Sequence, residues 1–154
     1  MGDIKETVEN EVLHKEIDLV QACINRMANN SFLLKGWLVS IIVVILALLP
    51  EKIDGVAIGI LTIIIITIFW YLDSTFLMLE KLYRKKYEWI IKERLEGNKL
   101  YLYDLNPYNK DMWLSYNKRE ICILSIMFSK IIAPFYLVPT IVSVITTIII
   151  YINC

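Results

Sequence analysis

Three stretches of this chain, residues 32–49, 56–72 and 131–152, are almost wholly apolar and long enough to cross a bilayer. At a helical rise of about 1.5 Å per residue, 17 to 22 residues reach roughly 25–33 Å, the thickness of a membrane's hydrocarbon core. In a chain of 154 residues this leaves room for one sizeable polar segment between the second and third stretches. The expected architecture is therefore an all-α membrane protein. Its parts are an amphipathic helix over 1–30, a transmembrane hairpin over 31–72 (spans 32–49 and 56–72), a helical polar segment over 73–130 and a third span over 131–154.

Charge supports this division. Mean hydropathy is +0.56 and the net charge is zero, but the charges are unevenly placed. Residues 1–30 hold three Lys/Arg against six Asp/Glu, and residues 80–120 hold ten against seven. The 50–54 loop carries only Lys52, whereas 73–130 carries eleven Lys/Arg. The positive-inside tendency then puts 73–130 and the N-terminus in the cytoplasm and Cys154 outside. No secretory signal is expected, because the first apolar stretch follows about 30 polar residues rather than a short basic start. Cys23, Cys122 and Cys154 are far apart, and His14 is the only histidine. This spacing suits neither a disulfide framework nor a zinc site, and no cofactor is expected.

Along the chain, Asp3 and Glu6 suit the capping positions of a first helix. Ile4, Val8, Val12, Leu13, Ile17, Val20, Ile24 and Met27 recur at helical spacing, opposite an acidic face. Asn29, Asn30 and Ser31 are expected to end that helix and cap the next. Lys35 sits near the start of span one, where its stem can snorkel to the interface. Gly55 and Gly59 form a small-xxx-small pair that permits close helix approach. No Pro or Gly interrupts 60–96, so span two should continue as one long helix. Phe69, Leu72, Phe76, Leu79 and Tyr83 give it a 3-4-3-4 apolar seam that needs a partner helix. Residues 100–113 read as loop and 114–129 as a helix leading, past Lys130, into span three.

Candidate sites follow from polar residues in these contexts. Tyr136, Thr140, Ser143 and Thr147 share one face of span three; such hydroxyls serve either interhelical hydrogen bonds or a pore lining. Pro134 and Pro139 lie in the same span, where each can kink the helix. Asp73 and Glu80 lie seven residues apart on one helix and suit acidic rings in an oligomer, or pairing with neighbours such as Arg84. Lys81, Tyr83, Arg84, Lys85, Lys86, Tyr87, Trp89, Lys92, Arg94, Lys99, Tyr101 and Tyr103 interleave cations with rings, as in surfaces that bind single-stranded nucleic acid, and among them Lys81, Arg84, Lys85, Lys86, Tyr87, Lys92 and Arg94 are the candidate ligand residues. Equally, cations beside a span are demanded by topology and attract anionic lipid. No catalytic constellation is visible, so an enzyme is not expected.

Two blocks of residues carry a resemblance. One comprises Trp70-Tyr71-Leu72-Asp73, Phe76-Leu77, Glu80 to Lys85 and Tyr87. The other comprises Asn106-Pro107-Tyr108, Met127-Phe128-Ser129-Lys130 and Pro134-Phe135-Tyr136. Together they resemble a widespread group of small bacterial membrane proteins, and within it the membrane effectors of Hailong anti-phage defence. That resemblance implies a homotetrameric ion channel of the bacterial inner membrane, encoded beside a nucleotidyltransferase. The enzyme's short deoxyadenylate oligomers would hold the channel closed. Their destruction by phage nucleases would open it and halt the infected cell. Alternatives are an oligomeric scaffold that recruits a soluble partner, an effector that answers cyclic nucleotides, and a holin-like toxin without a ligand.

Overall fold

The computed structural model describes residues 2–48, 50, 53–114 and 122–153, with side chains from residue 10 onward save those of 113 and 114. The described residues form helices without strands: α1 (Gly2–Leu48), α2 (Gly55–Leu95), α3 (Lys110–Leu114), α4 (Ile123–Met127) and α5 (Ala133–Asn153). α1, α2 and α5 each contain a segment long and apolar enough to cross a membrane. The expectations that concern Lys52, residues 115–121, Cys154 and the side chains of residues 1–9 lie outside the described residues.

Two corrections concern α1. The helix already includes Gly2, so Asp3 stands inside it rather than at its cap. It also runs through Asn29, Asn30 and Ser31 without a break. These residues are poor helix formers by only a few tenths of a kcal/mol each. Neither Pro nor Gly stands among them, and Ser31 has a tertiary partner for its hydroxyl. The expected uninterrupted helix beyond Gly59 is found as α2. It closes on a left-handed Gly97 (φ 78°). The Asn98 amide bonds the Glu93 carbonyl and the Gly97 amide bonds that of Arg94. This is a Schellman closure, which needs a residue without Cβ strain at that position.

The chain divides into two compact units. The polar unit comprises residues 1–29 and 77–122. Its core joins Val20 and Ile24 of α1, Leu82, Trp89 and Ile90 of α2, and Met112 of α3, with Met78, Leu79, Tyr83, Tyr87 and Leu105 packed on it. The loop before α3 contains no regular ladder and satisfies itself with side chains. Asn98, Asp104 and Asn106 each accept the amide two residues on. Asn109 accepts the amide of Asp111 and so caps α3, a single helical turn that begins inside the 100–113 segment expected to be loop.

The apolar unit comprises residues 30–76 and 123–154. On α2 its buried residues are Ile58, Thr62, Ile66, Trp70, Asp73 and Ser74, spaced by three and four. The seam expected on α2 therefore lies elsewhere in this unit: Leu72 is exposed and Phe69 half-exposed. The glycine pair of α2 receives α5. A Cβ at Gly59 would overlap Thr147, and one at Gly55 would meet Ile150 at 3.2 Å. Pro134 sits in the first turn of α5, where a missing amide costs nothing, while Pro139 lies inside the helix.

Candidate functional site

The apolar unit buries one carboxylate, that of Asp73, completely. Oδ1 accepts from the Ser31 hydroxyl. Oδ2 accepts from the Lys35 ammonium at 2.6 Å and the Tyr136 hydroxyl at 3.1 Å. Lys35 also donates to the Ser31 hydroxyl at 2.9 Å. Ser31 and Lys35 are one turn apart on α1, so one face of that helix delivers both donors. Lys35 thus pairs with Asp73 rather than simply snorkelling, although its side chain keeps 27% exposure. An isolated charge among apolar helices is costly; an opposite charge and two hydroxyls supply what water would have given.

Trp70 builds the wall of this cluster. Its ring stacks on Tyr136 with centroids 6.0 Å apart and meets Phe128 edge-on at 5.2 Å. Its indole N–H donates to the Met127 carbonyl at 3.0 Å. The remaining hydroxyls of the α5 stripe also turn inward or onto their own helix. Thr140 donates to the Tyr136 carbonyl. Ser143 reaches the Gly59 carbonyl at 3.5 Å, and Thr147 donates to Ser143 while facing Gly59. The stripe therefore lies against α2 of the same chain, and interhelical packing is the geometry it adopts here. Among the described residues no buried side-chain nitrogen or oxygen lacks a partner.

In the polar unit, Glu16 is likewise buried. Arg94 clasps it with Nε and Nη2, each at 2.9 Å, and the Tyr103 amide donates to Oε1 at 3.0 Å. Arg94 Nη1 binds the carbonyls of Asn98 and Leu100. Beside this pair lies a cavity of about 420 Å³ between α1 and the segment that follows α2. Arg94 is the member of the expected ligand set that lines it.

The other basic candidates are dispersed. Lys86 is wholly buried, its ammonium held by Asp104 at 2.9 Å and the Asn106 carbonyl at 2.7 Å. It anchors the loop and presents no surface to a ligand. Tyr87 packs on the hydrophobic core. Arg84 is exposed and pairs with Glu80 at 2.8 Å one turn away. Lys92 is exposed, and Lys81 and Lys85 are half-buried. Glu80 is thus engaged with Arg84 and Asp73 is sealed inside its unit, so neither presents a free acidic face. Burial works to raise the Asp104 carboxyl, but hydrogen bonds from Asn109, the Asn106 amide and Lys86 prevail and hold it below its ordinary range. The Tyr101 hydroxyl is pushed up by its hydrogen bond to Asp111.

Several participants lie outside the expected sites: Ser31, Lys35 and Trp70 in one unit, Glu16 and Asn98 in the other. One signal was available for the first group. Lys35 lies 15 residues before the 50–54 turn and Asp73 lies 19 after it, so an antiparallel hairpin brings them to within about one helical turn of the same level. Comparison with protein families, with curated proteins and with solved structures finds no match.

Proposed function

We propose that this chain is the membrane effector of a bacterial anti-phage response. It is an ion channel of the inner membrane, assembled from several copies, with a tetramer as the working stoichiometry. Short deoxyadenylate oligomers made by a partner nucleotidyltransferase hold it closed, and their loss opens it and depolarises the cell. The polar unit faces the cytoplasm and the end of α5 lies outside, an orientation that the excess of Lys and Arg over 73–130 supports.

The observation that carries this reading is where the two resembling blocks meet. Trp70 and Asp73 come from the first, and Met127, Phe128 and Tyr136 from the second, far away in sequence. They converge on one buried carboxylate inside the apolar unit. A charge kept among membrane-crossing helices is expensive, and such charges mark ion pathways and switches. The inward-turned hydroxyls of α5 suit a closed form. A shift of α5 away from α2 would offer Tyr136, Ser143 and Thr147 to water. Three spans do not enclose a water path alone, whereas several copies around an axis do.

The test is made in cells carrying a voltage-sensitive dye. Expression of this chain alone is expected to depolarise the membrane, and co-expression of a nucleotidyltransferase that makes short deoxyadenylates is expected to prevent it. An unchanged potential, with the protein shown to be inserted, would refute the channel. In that event the oligomeric scaffold is the second reading. It is favoured by one observation, the use of the α5 stripe for packing on α2 within the chain.

A further inference from the structure

The Glu16 site has the form of an occupied anion site. Three donors converge on one carboxylate: Arg94 Nε, Arg94 Nη2 and the Tyr103 amide. The two nitrogens of Arg94 form the planar fork that matches a carboxylate or phosphate edge. The third donor is placed at some expense, because Tyr101 and Tyr103 both adopt left-handed backbone conformations, at φ 61° and 59°. A bulky residue is uncommon there, and such strain gathers where a segment grips something. What it grips in this structure is the chain's own Glu16.

The neighbouring cavity has walls of a different kind. Val12, Leu13 and Leu102 supply apolar surface, and Asn10 and Asn98 supply amides. Lys99 adds a second cation to that of Arg94. A volume of about 420 Å³ falls within the range of ordinary small-molecule sites. Apolar walls, amides and two cations suit an organic anion with an apolar body, whose charged group would need the donors that Glu16 now holds.

We infer that this cavity is the ligand site of the polar unit, that it takes a phosphate-bearing compound with an apolar body, and that Glu16 is the internal anion such a ligand displaces from Arg94. The inference rests on the reading of this chain as ligand-controlled and adds the site and the competitor. Displacement would free α1 from Arg94 and from the Tyr103 amide at one stroke. The ligand's charge would thereby be converted into a change in how α1 is held.

The experiment is a calorimetric titration of the full chain in detergent with three probes: inorganic phosphate, deoxyadenosine monophosphate and a short deoxyadenylate. Glu16→Gln keeps an oxygen for the Tyr103 amide but removes the competing charge, so it should tighten binding about tenfold. Leu13→Trp fills the cavity and leaves the ion pair in place, so it should abolish binding. Lys99→Glu, at an exposed position, should weaken binding even if Leu13→Trp fails to fold. If the monophosphate binds with this mutational pattern and the oligomer does not, the site stands and the deoxyadenylate reading fails. If the oligomer binds wild type with the same affinity in all three variants, the site is elsewhere and this inference is overturned while the channel reading survives. Failure of every probe to bind both wild type and Glu16→Gln also overturns it.

Discussion

The two units use buried charge in opposite ways. In the polar unit, Lys86 and Arg94 reach from α2 to a carboxylate and to backbone carbonyls of the segment after it. These charges organise a loop that has no ladder of its own. In the apolar unit, the Lys35–Asp73 pair with Ser31 and Tyr136 ties α1, α2 and α5 together. Lipid tails are as apolar as Leu, so helix association there depends on close packing and hydrogen bonds. The same chemistry therefore shapes a loop in one unit and fixes helix register in the other.

Breaking the helix-register pair should have the largest effect. Asp73→Asn removes the charge that compensates Lys35, and removal of one partner from a buried pair costs about 3 kcal/mol. The melting point in detergent should fall sharply; a melting point like that of wild type would show that the pair contributes little. The loop counterpart should come next. Lys86→Met leaves Asp104 uncompensated, but Asp104 keeps 26% exposure, so the loss should be about 2 kcal/mol.

The pH dependence of that site follows from its sign. The Asp104 carboxyl lies below its unfolded value of about 3.9, so its contribution is complete above that value and is lost as pH falls through the folded pKa. Wild type should lose stability in that acid range more steeply than Asp104→Asn. Parallel acid-melting curves would reject this assignment.

Packing in the apolar unit gives a smaller effect. Gly59→Ala sets a methyl group against Thr147 and should cost about 1–2 kcal/mol by overpacking. Thr147→Ala should recover part of that loss in the double variant, and simple additivity would contradict the contact. Least of all should come Arg84→Gln. It breaks an exposed pair one helical turn apart and should cost less than about 0.5 kcal/mol.

Sequence reasoning read the parts of this fold that depend on local pattern. The apolar segments within α1, α2 and α5 follow from composition and length, and the end of α2 from Gly97. The glycine pair facing α5 was also legible, because only a missing Cβ allows that approach. Where tertiary partners decide, reading by pattern failed. Asn29, Asn30 and Ser31 look like a helix end because each side chain can compete for backbone groups. The Ser31 hydroxyl instead has Asp73 to bond, and α1 continues. Lys86 reads as one of a surface cluster with Lys85 and Arg84. Helical spacing turns it inward, and no local pattern reveals that the loop at 104–106 waits there with a carboxylate and a carbonyl. Glu16 belongs to an acidic helix face in the sequence and to an arginine fork in the structure. That pairing crosses 78 residues and leaves no periodic trace.

The central claim, a channel closed by a nucleotide-type ligand, is tested most directly by electrical recording of the purified chain in a planar bilayer, with short deoxyadenylates added to the side facing the polar unit. The account predicts discrete conductance steps that the oligomers suppress and that return when a nuclease removes them. An electrically silent bilayer containing folded, inserted protein, or a conductance indifferent to the oligomers, would contradict it.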